Sequence, residues 1–348
     1  MFKLEYLPWS QRVLKEALND FRVGKLPILD LELSGLCKLK LLYGGCIYCD
    51  SASGRPHIGE TSMHDLVRLI NQGLELGLKW IFICGLGEPK DDTRFYELVR
   101  FLTDNDISLS IFSNGVFYDS YDVDFLYSNH VHLIIKCDSF NPVVFSRLLG
   151  APVHIAESIY RTIHMLLERG YGDKGGPSLA LSIVPTKVNL QDVVSVVNFC
   201  VKNKIFPLIG QLEYAGRAKS IYDQLAPARS ELIWLKNEIE RVLGYTYEIP
   251  VCPAAMTSLH VSNTGDYIVD ANTGLSCFWF HLLEPTIKVL GNIRTHSVVE
   301  MLNEMKHYRK QKMEDIKRWL KICSENIFGG CGGYKLLEEY LGFLEKGS

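Results

Sequence analysis

Cys37, Cys46 and Cys49 fall within a thirteen-residue stretch that contains two glycines and follows the strand-like run Ile28-Leu29-Asp30-Leu31-Glu32-Leu33. Thiols this closely spaced serve as metal ligands, disulfide partners or buried core groups. As iron–sulfur ligands, three thiolates hold three irons of a [4Fe–4S] cube and leave the fourth open to a small molecule. The loop would then be a reaction centre as well as a staple. A zinc site needs four ligands, usually in two close pairs, and the nearest fourth candidate, Cys84, lies on another element.

Bulk properties narrow these alternatives. Ten cysteines in 348 residues are far too few for a disulfide scaffold. No apolar run is long enough to span a membrane, and Met1-Phe2-Lys3-Leu4-Glu5 lacks the basic and apolar regions of a signal peptide. The chain reads as cytoplasmic, where thiols stay reduced and clustered cysteines bind metal. A net charge of −3 gives no broad basic face for nucleic acid. The one dense basic run, Lys306 to Lys317, reads as a solvated helix face.

The elements that must position the loop follow from periodicity. Strands are expected at Ile28–Leu33, Trp80–Cys84, Ile107–Phe112, Val131–Cys137, Leu179–Val184 and Pro207–Leu212. Amphipathic stretches separate them at Thr61–Leu76, Asp92–Thr103, Asp122–Tyr127, Ala156–Gly170 and Leu190–Lys202. Strand and helix in alternation predict an α/β fold, an open six-stranded (β/α) barrel of parallel strands. Chemistry in such folds gathers on the loops at the C-terminal strand ends, where the cysteine loop falls. The second strand closes in Gly85-Leu86-Gly87-Glu88-Pro89. Its glycines either make a plain turn or let backbone approach a ligand closely.

Three cysteines after strand one, Gly-x-Gly-Glu-Pro after strand two and six strands in order resemble the radical SAM enzymes, over about Pro27 to Arg217. The family's common spacing is Cys-x3-Cys-x2-Cys, whereas eight residues, Lys38 to Gly45, separate Cys37 from Cys46 here. Longer first gaps occur in tRNA-modifying Elongator-type members. The resemblance implies a (β/α)6 partial TIM barrel and a cluster that binds the amino and carboxylate groups of S-adenosylmethionine. An electron from a flavodoxin or ferredoxin-type donor would then release a 5′-deoxyadenosyl radical. By the same resemblance Gly85, Gly87, Glu88, Pro89, Ser113 and Asn114 surround the cofactor, and Arg217 meets its carboxylate.

On the fourth strand Lys136 and Asp138 share one face, near substrate or ribose if that face is the lumen, and otherwise as an internal salt bridge. Glu213 and Tyr214, at the end of strand six, complete the acid–base candidates. Cys137 points to the helical layer, Cys200 to the core, and Asn189 caps the following helix.

Beyond the Ala226-Pro227-Ala228 linker and a helix at Ser230–Leu243 stand Cys252, Cys277, Cys323 and Cys331. Spacing alone allows these four to hold a cluster or a zinc ion. With the Asn263–Tyr267 hairpin turn, Gly291-Asn292-Ile293-Arg294 and Gly329-Gly330-Cys331, they resemble a SPASM/twitch extension with one auxiliary [4Fe–4S] cluster. The implied organisation is an extension over 1–26, a core over 27–225 and a linker helix with the auxiliary domain over 226–348. An auxiliary cluster favours oxidation of a polar small molecule of the sugar, aminocyclitol or nucleoside class. A peptide maturase (thioether or C–C crosslink, or epimerisation) is the alternative, and a tRNA-modifying enzyme a further one. The 36 residues before Cys37 are too few for a leader-binding domain, which leans toward the small molecule.

Overall fold

The computed structural model describes residues 11–51, 53–247, 257–271, 275 and 287–324. After α1 (Gln11–Arg22), strand β1 (Ile28–Leu31) and the short α2 (Lys38–Tyr43), strands and helices alternate. They run α3 (Met63–Glu75), β2 (Trp80–Ile83), α4 (Phe95–Asp104), β3 (Ser108–Ser113), α5 (Ser120–Ser128) and β4 (His132–Lys136). Then come α6 (Pro142–Leu149), α7 (Val153–Arg169), β5 (Leu179–Ile183), α8 (Leu190–Asn203) and β6 (Phe206–Ile209). The six strands pair in parallel in chain order, as the alternating pattern predicts. Their near-continuous apolar runs suit strands covered on both faces.

Register lays out the lumen. Asp30 stands opposite Phe82, Phe82 opposite Ser110 and Ser110 opposite His132. Two layers nearer the C-terminal ends, Lys136 faces Ser182 and Ser182 faces Leu208. The crossover helices bury leucine and isoleucine stripes, as α3 does with Leu66, Leu69 and Ile70. A capping box starts it, Ser62 accepting from Asp65 N–H and Asp65 from Ser62 N–H.

Several elements depart from expectation. Within the expected extension, α1 buries Ala17, Leu18 and Phe21 and belongs to the core. An unexpected helix, α6, begins at Asn141, whose side chain caps it ahead of Pro142. Helices α9 (Tyr222–Leu225) and α10 (Arg229–Leu243) follow the barrel. Then β7 (Ser258–Val261) pairs in parallel with β1, and β8 (Asp266–Asp270) and β9 (Ile287–Asn292) continue antiparallel. Among the described residues these three strands extend the barrel sheet to nine.

The basic run spans α11 (Val298–Gln311) and the start of α12 (Met313–Ser324). It is not solvated throughout. Arg309 is fully buried, and the Lys306 ammonium sits 4.9 Å from the centre of the Phe21 ring. Cys252, Cys277 and Cys331 lie outside the described residues, as does the side chain of Cys323. No helix among the described residues is long and apolar enough to cross a membrane.

Candidate active site

The eight-residue spacer between Cys37 and Cys46 folds back on itself. Cys37 occupies the N-cap position of α2, and Gly44 ends that helix at φ 96°, donating its N–H to Lys40 O at 3.0 Å. This left-handed position favours glycine, and it turns the chain back toward Cys46. The start of α2 is fixed from outside. Lys38 N–H donates to Asp91 Oδ2 at 2.7 Å, and the Lys38 ammonium lies 3.1 Å from Oδ1. Arg217 holds the far end, donating from Nη1 to the Gly44 and Gly45 carbonyls while its N–H reaches Cys49 O at 2.8 Å.

The glycine motif packs on this loop. A Cβ on Gly87 would lie 2.2 Å from Leu36 O and 2.4 Å from Ser34 O, so no other residue fits without moving backbone. The next residue, Glu88, donates its N–H to Leu36 O at 2.8 Å. Its carboxylate accepts from Ser113 Oγ at 2.6 Å and from Asn114 N–H at 2.7 Å. Burial raises the Glu88 pKa to about 7; the two hydrogen bonds pull against that shift and the nearby Asp91 charge adds to it. A cationic group of a ligand would offset that cost.

These elements enclose one cavity of about 270 Å³, lined by Cys37, Cys46, Cys49, Gly85, Gly87, Glu88, Ser113, Asn114, Lys136, Glu213 and Arg217. Burial pushes the Cys37 thiol up to about 12 and the Cys46 thiol to about 11. All three thiols are outside disulfides. Among the described residues no three His, Cys, Asp or Glu side chains close on a single ion. Three thiols lining one cavity suit a polynuclear cluster.

Lys136 reaches the cavity from β4. Asp138, fully buried, does not line it and instead pairs with the Lys136 ammonium at 3.2 Å. Tyr48 joins them: its hydroxyl donates to Asp138 Oδ2 and accepts from Lys136 Nζ. The other Asp138 oxygen accepts Val184 N–H at 2.8 Å. Burial alone would lower the Lys136 pKa, but Asp138 together with Cys46 and Cys49 opposes it and the ammonium is held above its usual range. The internal salt bridge and the lumen-facing amine are therefore one arrangement.

Glu213 lines the cavity, and burial pushes its carboxyl well above the usual range, the Asp50 charge adding to that. Tyr214 is not brought into the site; it is exposed and packs edge-on against Tyr222. Pro89 opens a buried 3-10 turn behind the cavity wall. Asn189 sits at the N-cap of α8 without capping it, because its Oδ1 already accepts Thr186 N–H at 2.7 Å and Thr186 Oγ1 at 2.9 Å, while its Nδ2 donates to Asp138 O at 2.8 Å and Val184 O at 3.1 Å. Cys137 and Cys200 are buried as expected.

Sequence reading missed Asp91, Asp92 and Glu60 as the groups that fix the loop. Asp92 accepts Ser34 N–H at 2.9 Å, and Glu60 accepts Gly35 N–H at 2.7 Å. For the two aspartates the available signal was their position, one residue beyond Gly-x-Gly-Glu-Pro.

Residues 33–200, the stretch that carries this geometry, match the sequence model of the radical SAM superfamily. Those residues therefore carry the sequence signature of a radical SAM domain. It is 24% identical over 220 residues to mycofactocin maturase MftC of Mycolicibacterium smegmatis, covering 62% of this chain. The match spans 53%, about half, of that curated relative.

Two solved structures share the fold. Streptococcus suis SuiB bound to precursor peptide SuiA aligns at a TM-score of 0.55 and 15% identity, over 84% of this chain and 68% of that one. Native anSMEcpe with bound AdoMet and Cp18Cys peptide aligns at 0.56 and 15%, over 92% and 97%.

Proposed function

We propose that this chain is a radical SAM enzyme that modifies a peptide, with Cys37, Cys46 and Cys49 holding the [4Fe–4S] cluster. The carrying observation is the convergence of the three thiols, the Gly87–Glu88 strand end and a charged lumen on one cavity. When bound, the cluster and S-adenosylmethionine supply a 5′-deoxyadenosyl radical that takes a hydrogen atom from substrate. Glu88, fixed by Ser113 and Asn114, is placed to receive the methionine ammonium, with Gly85 and Gly87 presenting backbone beside it. Arg217 steadies the cysteine loop as a positioning residue and offers its remaining donors to the carboxylate. Lys136, oriented by Asp138 and Tyr48, presents an ammonium to the substrate side. Glu213, with its raised pKa, can carry a proton there.

The peptide reading is supported by the company the chain keeps: a maturase in sequence, and two folds solved with peptides bound. It displaces oxidation of a sugar, aminocyclitol or nucleoside as the preferred reading. An auxiliary cluster on Cys252, Cys277, Cys323 and Cys331, and a reduced flavodoxin or ferredoxin as electron source, complete the proposal.

The test is anaerobically reconstituted protein with S-adenosylmethionine and dithionite. The wild type should release 5′-deoxyadenosine, and Cys37→Ala, Cys46→Ala and Cys49→Ala should not. Candidate precursor peptides encoded beside the gene should change mass on turnover. Turnover of a small polar molecule with none of any peptide would sink the peptide reading. Iron content should fall by about half in Cys252→Ala/Cys331→Ala if those thiols hold a second cluster of the same size.

A further inference from the structure

We propose that the outer face of α2 is the docking surface for a flavodoxin-type one-electron carrier. This rests on the cluster assignment above and adds the place where its electron enters.

The helix has two unlike faces. Leu39 and Lys40 turn inward to line the cavity, whereas Leu41 and Leu42 are 48% and 61% exposed. A spacer needed only to return the chain from Cys37 to Cys46 gains nothing from two adjacent leucines in water. An apolar pair on an exposed helix signals a contact surface. Its surroundings are cationic. Lys38 shares the Leu42 face one turn away, its ammonium half in solvent although paired with the nearly buried Asp91, and α2 itself carries no acidic residue. Arg217 stands at the Gly44 end. Val153 adds exposed apolar area, and His154 lies edge-on to Tyr43 with ring centres 6.3 Å apart.

Apolar centre and basic rim complement a carrier whose exposed redox edge is an apolar ring in an acidic surface. A flavin ring edge fits that description. Location matters equally, because both ends of α2 run directly into ligand thiols. A partner resting on the helix is separated from them by about one helix diameter, roughly 10 Å. The reduced flavin loses one electron and the cluster gains it, and no covalent bond of this chain changes.

Leu42→Asp places an acid at the centre of the patch, away from the cavity. Two readouts on the full cluster-loaded chain test the proposal: the affinity of oxidised flavodoxin measured by calorimetry, and S-adenosylmethionine cleavage driven by flavodoxin or by dithionite. Leu42→Asp should weaken flavodoxin binding at least about tenfold, or 1.4 kcal/mol. It should slow flavodoxin-driven cleavage comparably and leave dithionite-driven cleavage within about twofold. Binding should also weaken with added salt.

If Leu42→Asp loses the dithionite rate as well, Leu41→Ala/Leu42→Ala decides in its place, with the same pattern expected. Unchanged flavodoxin binding in the variant that keeps its dithionite rate overturns the proposal. A wild type that binds flavodoxin through this face yet never cleaves S-adenosylmethionine would defeat the functional reading and leave the docking surface standing.

Discussion

At the scale of single residues, the site depends on contacts that sequence displays unequally. Gly87→Ala drives a methyl group into two carbonyl oxygens, whereas Gly85→Ala meets its nearest atom, the Glu32 Cα, at 3.2 Å. Overpacking of this kind costs typically 1–3 kcal/mol. Gly87→Ala should therefore lose iron and S-adenosylmethionine binding while Gly85→Ala keeps most of both, measured by iron assay and equilibrium dialysis. Asp138→Ala strands a largely buried Lys136 ammonium and should destabilise the protein by about 3–5 kcal/mol in urea unfolding. Adding Lys136→Met should recover part of that loss. That Glu88 and the cysteines share one cavity was legible because each lies in a compact motif just after a strand. Tyr48 was not, since its partner Asp138 lies 90 residues further along and only the fold brings them together.

Among the elements, the crossover helices and parallel strands were legible from periodicity, because each buries one continuous stripe. The helix α2 was hidden. Six residues cannot hold a helix in isolation, and its stability comes from Asp91 and Gly44, neither of which belongs to its own repeat. Asp91→Ala should thus cost about 1 kcal/mol and show chiefly as faster iron loss to a chelator, with little change in overall melting. Helix α6 could have been found from Asn141-Pro142, a cap followed by a first-turn proline. Asn189 shows the opposite failure: a residue type that favours caps has its acceptor oxygen taken by Thr186 and its amide donors by two carbonyls of neighbouring strand ends.

For the whole molecule, the nine-stranded sheet joins the first strand to residues far along the chain, and no local pattern announces such a pairing. Between β1 and β7, Asp30 accepts from Ser258 Oγ at 2.8 Å. Burial raises its pKa to about 6, with His260 and the Ser258 hydrogen bond opposing the shift. A carboxyl whose folded pKa is raised favours folding at low pH, and that contribution fades as pH rises from its ordinary value of about 3.9 through 6. Asp30→Asn should accordingly melt higher than wild type at pH 8, with the difference vanishing near pH 4, read by calorimetry at matched ionic strength.

The same pairing has a consequence in time. Asp30 and Ser258 are separated by 228 residues, which a ribosome needs on the order of 10–45 s to add. Throughout that interval β1 has only one of its two neighbours, and a strand edge meant for the interior stands open to other chains. Slow synthesis or truncation before β7 should therefore favour aggregation of nascent chains whose six barrel strands are already complete.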